Sequence, residues 1–523
     1  MKKLLLAAFC FFTLVLQAQE SKTYINWQLK DPATDKVYGT GITKAYELLK
    51  GKTAKTIIVA VIDGGTDVNH EDLKANIWTN PGEIPGNGID DDHNGYVDDV
   101  HGWNFIGGKN GSIQNESSEL ARLYHKLTLK YGDKDSSQIA GADKTEFREY
   151  KKIRAKFSTD QMQLLGQLMG LAEFNSLIEK IKKTNDGKLS RRAVKKFKTT
   201  DDREKQLKKY LKLLVMLAGS KELEKELSDG TKQLSNTAKF NSLNTDSIRR
   251  VVVGDDPYDT SDHNYGNNDV IGPDALHGTH VAGIIAAIRN NNVGIDGVAD
   301  HVQIMVVRAV PDGDERDKDV ANAIRYAVDN HASIINMSFG KYYSPNKEAV
   351  DAAIQYAADH DVLMIHAAGN ESKDKDQENS YPTNELNSGK VMPNWIEVGA
   401  SGRKHGRKGK KLIGSFSNYG KKHLDLFAPG VDIYSTVPDN KYIKESGTSM
   451  AAPVTTGVAA MIREYFPDLK ATEVKDILMK SVTTYKKKVS VPGDPKKRAT
   501  LSDLSVSGGI VNAYNAVKML LKK

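Results

Sequence analysis

The chain has 523 residues, 39% of them apolar and 27% charged, and carries a formal net charge of +7. This apolar content excludes an intrinsically disordered chain, and the 43 glycines do not recur at every third position as a collagen helix requires. The composition therefore predicts a large globular protein.

The first 18 residues differ in character from the rest of the chain. Lys2 and Lys3 precede an apolar run over residues 4–16, and Ala18 supplies the small side chain typical of a cleavage site. We interpret residues 1–18 as a secretory signal peptide, which predicts export to the periplasm, the cell surface or the medium. The run is shorter than the roughly 20 apolar residues that span a membrane, and no later run is longer, so no integral membrane segment is expected. Cys10 is the only cysteine, so the mature protein is predicted to lack disulfide bonds.

Short apolar runs rich in β-branched residues alternate with longer amphipathic stretches in the remainder of the chain. The runs cover residues 56–62, 302–310, 333–338 and 362–366, and the amphipathic stretches include 320–330 and 347–359. Near-continuous apolar strands are typical of parallel sheets that are covered on both faces. The alternation predicts an α/β fold, a doubly wound and mostly parallel sheet with helices on both faces.

Residues 110–250 have a different composition, with few glycines and many Lys and Glu residues. Residues 111–250 carry a net charge of +11, which leaves −4 for the rest of the chain. Apolar side chains recur there at helical spacing, at Leu164, Leu168, Leu171, Phe174, Ile178 and Ile181, and at Leu207, Tyr210, Leu211, Leu214 and Leu217. We predict a largely helical, basic insertion at 110–250 that divides the main domain into residues 19–109 and 251–523.

Three separated motifs carry reactive side chains, and each alone has an ordinary structural explanation. Asp63 follows an apolar strand, where Asp-Gly turns are common. His277 and His280 could bind a metal from one helical face, although the Glu of an HExxH zinc motif is absent. Ser449 precedes a helical run over residues 454–466, so it is either an N-cap or a nucleophile beside free backbone N–H groups.

Together these motifs resemble the subtilisin-like serine proteases, the subtilases, and their order along the chain is the subtilisin order. The resemblance covers residues 24–108 and 251–518, including Phe416-Ser417-Asn418-Tyr419-Gly420 and Ala428-Pro429-Gly430. It implies a subtilisin-like fold and a secreted serine endopeptidase that hydrolyses peptide bonds through an acyl-enzyme. Two other readings stay open: a binding protein with blocked catalysis, and a transpeptidase.

The resemblance also assigns roles to individual residues. Ser449 corresponds to the nucleophile, His277 to the general base and acid, and Asp63 to the carboxylate that orients the imidazole. Asn370 corresponds to the side chain that completes the oxyanion hole with the Ser449 backbone N–H, and His280 to a second, non-catalytic histidine. Gly64 stands where the family usually has Ser or Thr, so a hydrogen bond to the catalytic carboxylate is expected to be missing.

Two further segments resemble those that line the S1 pocket of the family. They are Ser338, Phe339 and Gly340, and Ala367, Ala368 and Gly369. Neither segment contains an acid, so we expect an apolar or broad preference rather than a demand for Lys or Arg. Protein or peptide substrates would bind in extended form along the first segment, as an added strand.

Residues 87–99 read NGIDDDHNGYVDD and match the opening half of an EF-hand loop, without its closing Glu. The oxygen-rich side chains and carbonyls predict a structural calcium site at Asp90, Asp92, Asn94, Tyr96, Asp98 and Asp99, with a solvated acidic turn as the alternative. A second acidic stretch, residues 255–259 with Asp262 and Asp269, is expected to be a solvated loop.

Three alternative roles remain for the basic insertion: it could cap the active-site cleft, recruit substrates or decorate the surface. Its lysines alternate with acids and lack interleaved aromatic side chains, so we expect no nucleic-acid partner. The densest basic cluster, residues 191–198, suggests contact with anionic cell-surface polymers.

Overall fold

The computed structural model describes residues 25–217, 219–404 and 412–522, so the predicted signal peptide lies outside the described residues. These residues divide into two compact units. The helical unit comprises residues 115–245, and the sheet unit comprises the described residues on either side of it.

A nine-stranded sheet organises the sheet unit. Its strand order is β12-β15-β9-β8-β7-β6-β1-β5-β2, and every neighbouring pair is parallel except β12 with β15. The strands are β1 (Ile57–Asp63), β2 (Gly102–Asn104), β3 (Gly107–Gly108), β4 (Gly111–Ser112), β5 (Val302–Arg308), β6 (Ile334–Met337), β7 (Leu363–Ala367), β8 (Trp395–Ser401), β9 (Leu426–Pro429), β10 (Ile433–Val437), β11 (Lys441–Glu445), β12 (Thr483–Thr484), β13 (Val489–Val491), β14 (Asp494–Ala499) and β15 (Gly509–Ile510).

The helices follow in chain order, and α2 to α6 belong to the helical unit. They are α1 (Ile42–Leu49), α2 (Glu119–Tyr131), α3 (Asp143–Lys183), α4 (Arg191–Lys196), α5 (Asp202–Leu217), α6 (Ser220–Asn241), α7 (Thr245–Val252), α8 (Leu276–Ala286), α9 (Asp317–Asp329), α10 (Lys347–Asp359), α11 (Thr448–Tyr465), α12 (Ala471–Lys480) and α13 (Ala513–Leu520). Among the described residues, no helix combines the length and apolar character that a membrane span requires.

Each face of the sheet packs into its own hydrophobic core. Side chains of a strand alternate between the two faces, and in β1 Val59 and Val61 lie in one core while Ala60 and Ile62 lie in the other. The long helix α11 is buried against β6 to β9 in the first core. The predicted doubly wound α/β fold is therefore confirmed.

The helical unit has a separate core, to which α3, α5 and α6 contribute most of the buried side chains. It includes Leu177, Ile178 and Ile181 of α3, with Leu207 and Leu211 of α5. Except for Leu177, these residues belong to the apolar stripes that the sequence spacing indicates, because helical positions three or four apart share one face. Tyr210 was predicted to lie in the second stripe but is exposed.

A buried ion network lies where the chain re-enters the sheet unit. The Arg249 guanidinium binds both oxygens of Asp255, at 2.9 and 2.8 Å, and both oxygens of Asp319, each at 2.7 Å. The Lys318 ammonium reaches Asp255 at 2.8 Å and Asp262 at 3.1 Å. The Asp255 side chain is buried and paired with Arg249 and Lys318. The expectation of a solvated loop was therefore wrong for this residue.

Candidate active site

The carboxyl ends of three neighbouring strands, β1, β6 and β7, bring most of the predicted site residues together. Asp63 ends β1, Ser338 follows β6, and Ala367 to Asn370 end and follow β7. Because β6 pairs with both β1 and β7 in parallel register, these three segments meet at one edge of the sheet, the usual place for sites in open α/β sheets.

Asp63 and His277 form a hydrogen-bonded pair across this edge. The His277 Nδ1 lies 2.8 Å from Oδ1 and 3.0 Å from Oδ2 of Asp63. Helix α8 can pack closely against the segment after β1 because residue 278 is glycine. A Cβ at this position would lie 2.2 Å from the carbonyl oxygen of Gly65. The backbone N–H of Gly64 donates to Asp63 Oδ1 at 2.8 Å, so a backbone group helps to orient the carboxylate.

The two histidines of α8 have different environments. Burial alone would lower the pKa of His277, but the Asp63 carboxylate, with Glu445 and Asp274, raises it above the ordinary value of 6.5. Burial and the nearby His277 lower the pKa of His280 to about 3, and its Nε2 lies 3.3 Å from the Ile443 carbonyl oxygen. The two imidazoles therefore bind separate partners rather than a shared group.

Ser449 is the second residue of α11, so it lies among the free N–H groups of a helix N-terminus. Its Oγ donates to the carbonyl oxygen of Ser338 at 3.1 Å, and the Ser338 Oγ donates to the Ser449 carbonyl at 3.0 Å. This reciprocal pair ties the start of α11 to the segment after β6.

The side-chain amide of Asn370 has a defined orientation. Its Oδ1 accepts from the backbone N–H of Thr448 at 2.9 Å and from the Thr448 hydroxyl at 3.1 Å. Because Oδ1 is occupied by these donors, Nδ2 is the group left to donate beside the Ser449 segment. A Cβ at Gly447 would lie 3.5 Å from this nitrogen.

A pocket of about 200 Å³ is lined by the predicted substrate-binding residues together with Asn370 and Ser449. Its lining includes all six predicted positions, Ser338, Phe339, Gly340, Ala367, Ala368 and Gly369. It also includes polar residues that the sequence motifs did not indicate, namely Lys341, Tyr342, His366, Glu371 and Ser380. The acid Glu371 accepts from Tyr342 Oη and Asn418 Nδ2, each at 2.8 Å, so the pocket rim is more polar than the two segments suggest.

A buried charged network supports this pocket from behind. The His366 Nε2 lies 2.8 Å from the Phe339 carbonyl oxygen, and its Nδ1 lies 3.0 Å from Glu397. The Lys375 ammonium binds Glu397 at 2.8 Å, and Trp395 Nε1 donates to it at 2.9 Å. Burial raises the pKa of Glu397, but Lys375 and His366 more than offset this and lower it to about 2. The imidazole thus links an ionised carboxylate to the pocket wall.

The acidic loop forms a cluster that differs from the predicted ligand set. Glu83, Asp92 and Asp99 place carboxylate oxygens within 4.8 Å of one another. The carboxylate of Asp98 instead accepts three backbone N–H groups of residues 86–88, and that of Asp90 accepts from the backbone of residues 94 and 95. The side-chain amide of Asn94 donates to Asp92 and Asp99, and the ring of Tyr96 packs against Trp103, Phe105 and Tyr326.

Glu83 was missed by the sequence motif because it precedes the EF-hand-like segment. Its Oε1 accepts from the backbone of residues 91 and 92, whereas the buried Oε2 has no hydrogen-bond partner among the residues that the structure describes. Burial raises the pKa of Asp99 to about 6, and the Asp92 charge contributes to this shift. A buried acceptor beside two other carboxylates is an arrangement that suits a hard cation.

The chain is similar in sequence to known serine proteases. The model of the Subtilase family matches residues 54–503. The thermophilic serine proteinase of Bacillus sp. (strain AK1) is 39% identical over 214 residues, which are 41% of this chain and 47% of that protein. The major intracellular serine protease of Bacillus subtilis (strain 168) is 36% identical over 224 residues, 42% of this chain and 64% of that protein.

Subtilisin BL of Lederbergia lenta is 33% identical over 210 residues, which are 40% of this chain and 70% of that protein. The aligned part spans less than two thirds of the length of the first two relatives. The family match itself extends over most of the described residues on both sides of the helical unit. The chain belongs to the subtilase family.

Proposed function

We propose that the protein is a serine endopeptidase in which Ser449, His277 and Asp63 form the catalytic triad. One observation carries this proposal: the Asp63–His277 pair, Ser449 and an oriented Asn370 amide lie at the same sheet edge. The names of the relatives, which are serine proteases and subtilisins, support the same activity.

The proposed reaction follows from the chemistry of these groups. Asp63 holds the Nδ1–H of His277, which leaves Nε2 free to accept the hydroxyl proton as Ser449 attacks the scissile carbonyl. For this step the Ser449 hydroxyl turns away from the Ser338 carbonyl. The negative charge on the former carbonyl oxygen is stabilised by Asn370 Nδ2 and the Ser449 backbone N–H. His277 then protonates the leaving amine. In the second half of the reaction, water attacks the acyl-enzyme, and His277 again accepts the proton.

Peptide substrates are proposed to bind in extended form beside Ser338 to Gly340 and to place the P1 side chain in the pocket of about 200 Å³. The small side chains of Ala367 and Ala368 leave room for an apolar group. The pocket combines these small apolar walls with a polar rim that includes Glu371 and Tyr342, so we propose a broad P1 preference that includes apolar side chains.

The first test is intact mass spectrometry after treatment with a fluorophosphonate. One covalent adduct is expected on the native protein and none on Ser449→Ala, because the probe needs a nucleophile, a base and an oxyanion hole together. Loss of peptidase activity in Ser449→Ala should approach the 10⁶-fold known for subtilisin.

An adduct that persists in Ser449→Ala would overturn the assigned nucleophile. Failure of the folded native protein to react would favour a binding protein with blocked catalysis. An adduct accompanied by ligated rather than hydrolysed peptide would favour a transpeptidase.

We also propose that the acidic loop binds a structural calcium ion. Glu83, Asp92 and Asp99 supply the carboxylates, and the unpartnered Glu83 Oε2 is the observation that fits a cation. Bound calcium would neutralise the buried Asp99 and stabilise the loop in a chain predicted to have no disulfide bonds.

Chelation with EGTA is expected to lower the melting temperature of the native protein and to leave Glu83→Gln almost unchanged. Asp90→Asn is the matched control, because its carboxylate is already held by backbone N–H groups. Equal responses of all three proteins to EGTA, or none in the native protein, would contradict this site.

Export is proposed from the predicted signal peptide, residues 1–18, which lies outside the described residues. N-terminal sequencing of protein recovered outside the cytoplasm should begin at Gln19. An intact Met1 terminus on the active protein would contradict cleavage. The relatives include both an intracellular protease and a cell wall-associated protease, so this measurement tests whether the protein is exported.

A further inference from the structure

The helical unit contains a wide cleft with a strongly cationic wall. The cleft has a volume of about 1440 Å³ and is formed by α4, the turn that follows it, and α5. Eight of its eleven lining residues are Lys or Arg, two are Thr and one is Phe. No acidic residue belongs to the lining among the described residues.

The basic wall results from how the two helices pack. Val194 of α4 and Leu207 and Leu211 of α5 are buried in the core of the helical unit. The opposite face of α5 therefore presents Lys205, Lys209 and Lys212, together with Lys208, on successive turns. These four positions extend over roughly 10 Å of the helix axis, at 1.5 Å per residue.

Little of this charge is neutralised within the helical unit. Lys205 pairs with Asp202 at 2.7 Å, and the Lys208 ammonium donates to the backbone carbonyl of Phe197 at the end of α4. In the part of the chain that the structure describes, the other six cationic side chains of the cleft have no carboxylate partner; they are Arg192, Lys195, Lys196, Lys198, Lys209 and Lys212. Such uncompensated charge in a concave surface attracts anions at long range.

We propose that this cleft binds a linear anionic polysaccharide through its repeated carboxylate or sulfate groups. A row of lysines along α5 with further cations on α4 matches a polymer with regularly spaced negative charges. Lysine ammonium groups act as point charges that tolerate variable geometry, as a flexible glycan chain requires.

Other anionic polymers fit the cleft less well. Single-stranded nucleic acid binds through aromatic side chains that stack on its bases, but the only aromatic lining residue, Phe197, packs against the core of the helical unit. The cleft is concave, whereas a membrane surface is flat.

The test measures the binding of fluorescein-labelled heparin fragments and polygalacturonate to the full chain by fluorescence anisotropy. The Ser449→Ala background prevents autolysis. Binding is expected at 50 mM NaCl and should weaken at least tenfold at 200 mM NaCl, because several counterions are released per bound chain. The triple variant Lys195→Glu, Lys198→Glu, Lys209→Glu should weaken binding at 50 mM NaCl by at least tenfold as well.

The matched control carries Lys221→Glu, Lys225→Glu and Lys232→Glu on α6, which change the net charge equally but lie outside the cleft. Retained binding in this control supports the cleft as the site. Equal losses in both triple variants would mean that net charge alone attracts the polymer, and the proposal would fail. If the Glu variant of the cleft does not fold by circular dichroism, the Gln variant of the same three lysines replaces it.

Two further outcomes would overturn the proposal. One is absence of polysaccharide binding by the native chain at 50 mM NaCl. The other is tighter binding of labelled single-stranded DNA or poly-glutamate than of either polysaccharide at the same salt concentration. Because the readout is binding rather than peptidase activity, the result is independent of the proposed catalytic function.

Discussion

At the scale of single residues, His277 determines how the proposed activity depends on pH. Burial lowers its pKa, but Asp63, Glu445 and Asp274 raise it by more, so it lies above 6.5. Only neutral His277 can accept the Ser449 proton, and activity is therefore lost as the pH falls through this raised value. We expect the acidic limb of the kcat/KM profile for a peptide anilide to have its midpoint above pH 6.5.

The variant Glu445→Gln removes one of the charges that raise this pKa while leaving the triad intact. The midpoint should move to lower pH, whereas Glu348→Gln, an exposed acid at the start of α10, should leave it unchanged. A native midpoint at or below 6.5, or identical profiles for Glu445→Gln and the native protein, would contradict this electrostatic explanation.

His366 is expected to position the pocket wall without touching the reacting atoms. Its two ring nitrogens face Glu397 and the Phe339 carbonyl, both of which are acceptors. His366→Leu leaves the Phe339 carbonyl without its donor, while Glu397 keeps Lys375 as a partner. A buried carbonyl left without its partner costs about 1–3 kcal/mol of folding free energy. Because Phe339 lines the pocket, its displacement should raise KM for short peptides with a smaller change in kcat.

The conservative variant His366→Gln retains one donor and should recover part of the loss in KM. His360→Leu, at the exposed end of α10, serves as the control. If His366→Leu lowers the melting temperature but leaves KM unchanged, the residue has only a structural role.

At the scale of elements, the Arg249 network attaches α7 to α9 within the sheet unit. Arg249→Met would leave Asp319 and part of Asp255 buried without their main cation. Removing one partner of a buried ion pair costs about 3–5 kcal/mol, and urea unfolding should show a loss of this size. The neighbouring Arg250→Met breaks the exposed pair with Asp256 and should cost at most about 1 kcal/mol. Similar losses in the two variants would contradict the importance of burial.

The elements themselves could largely be predicted from the sequence, because periodicity reports burial directly. The predicted helix 347–359 matches α10, and the predicted strand 362–366 matches β7 (Leu363–Ala367) within one residue at each end. Contacts between distant residues could not be predicted in this way. His366 and Glu397 contact each other only because β7 and β8 pair in register. Arg249 pairs with Asp319, which is 70 residues away in the sequence.

The same limit explains the candidate metal cluster. A motif describes residues close together in sequence, and Asp90, Asp92 and Asn94 fit such a motif. Which carboxylates converge depends on the backbone path, which directs Asp98 to the N–H groups of residues 86–88 and brings Glu83 beside Asp92. The resemblance to a known family supplied the triad roles, which no local pattern could assign.

At the scale of the whole molecule, the two units are expected to fold independently. The core of the helical unit draws only on residues 171–234, and the three cores of the sheet unit contain no residue between 115 and 245. A unit with its own hydrophobic core can in principle fold alone. The segments that flank the helical unit lie close together, since the Asn110 side chain donates to the Val251 carbonyl at 2.7 Å.

Replacing residues 115–245 by a short Gly/Ser linker should therefore give a folded sheet unit that still reacts with a fluorophosphonate. Circular dichroism and urea unfolding would report folding, and intact mass would report the nucleophile.

The same deletion variant tests the role of the helical unit. A rise in casein cleavage relative to the full chain, with unchanged cleavage of a short peptide, would indicate that the helical unit caps the cleft. A fall in casein cleavage would indicate that it recruits protein substrates. Equal rates would indicate that the helical unit has no role in catalysis and only decorates the surface. An unfolded product, despite the retained Arg249 network, would show that the sheet unit needs the helical unit and would contradict independent folding.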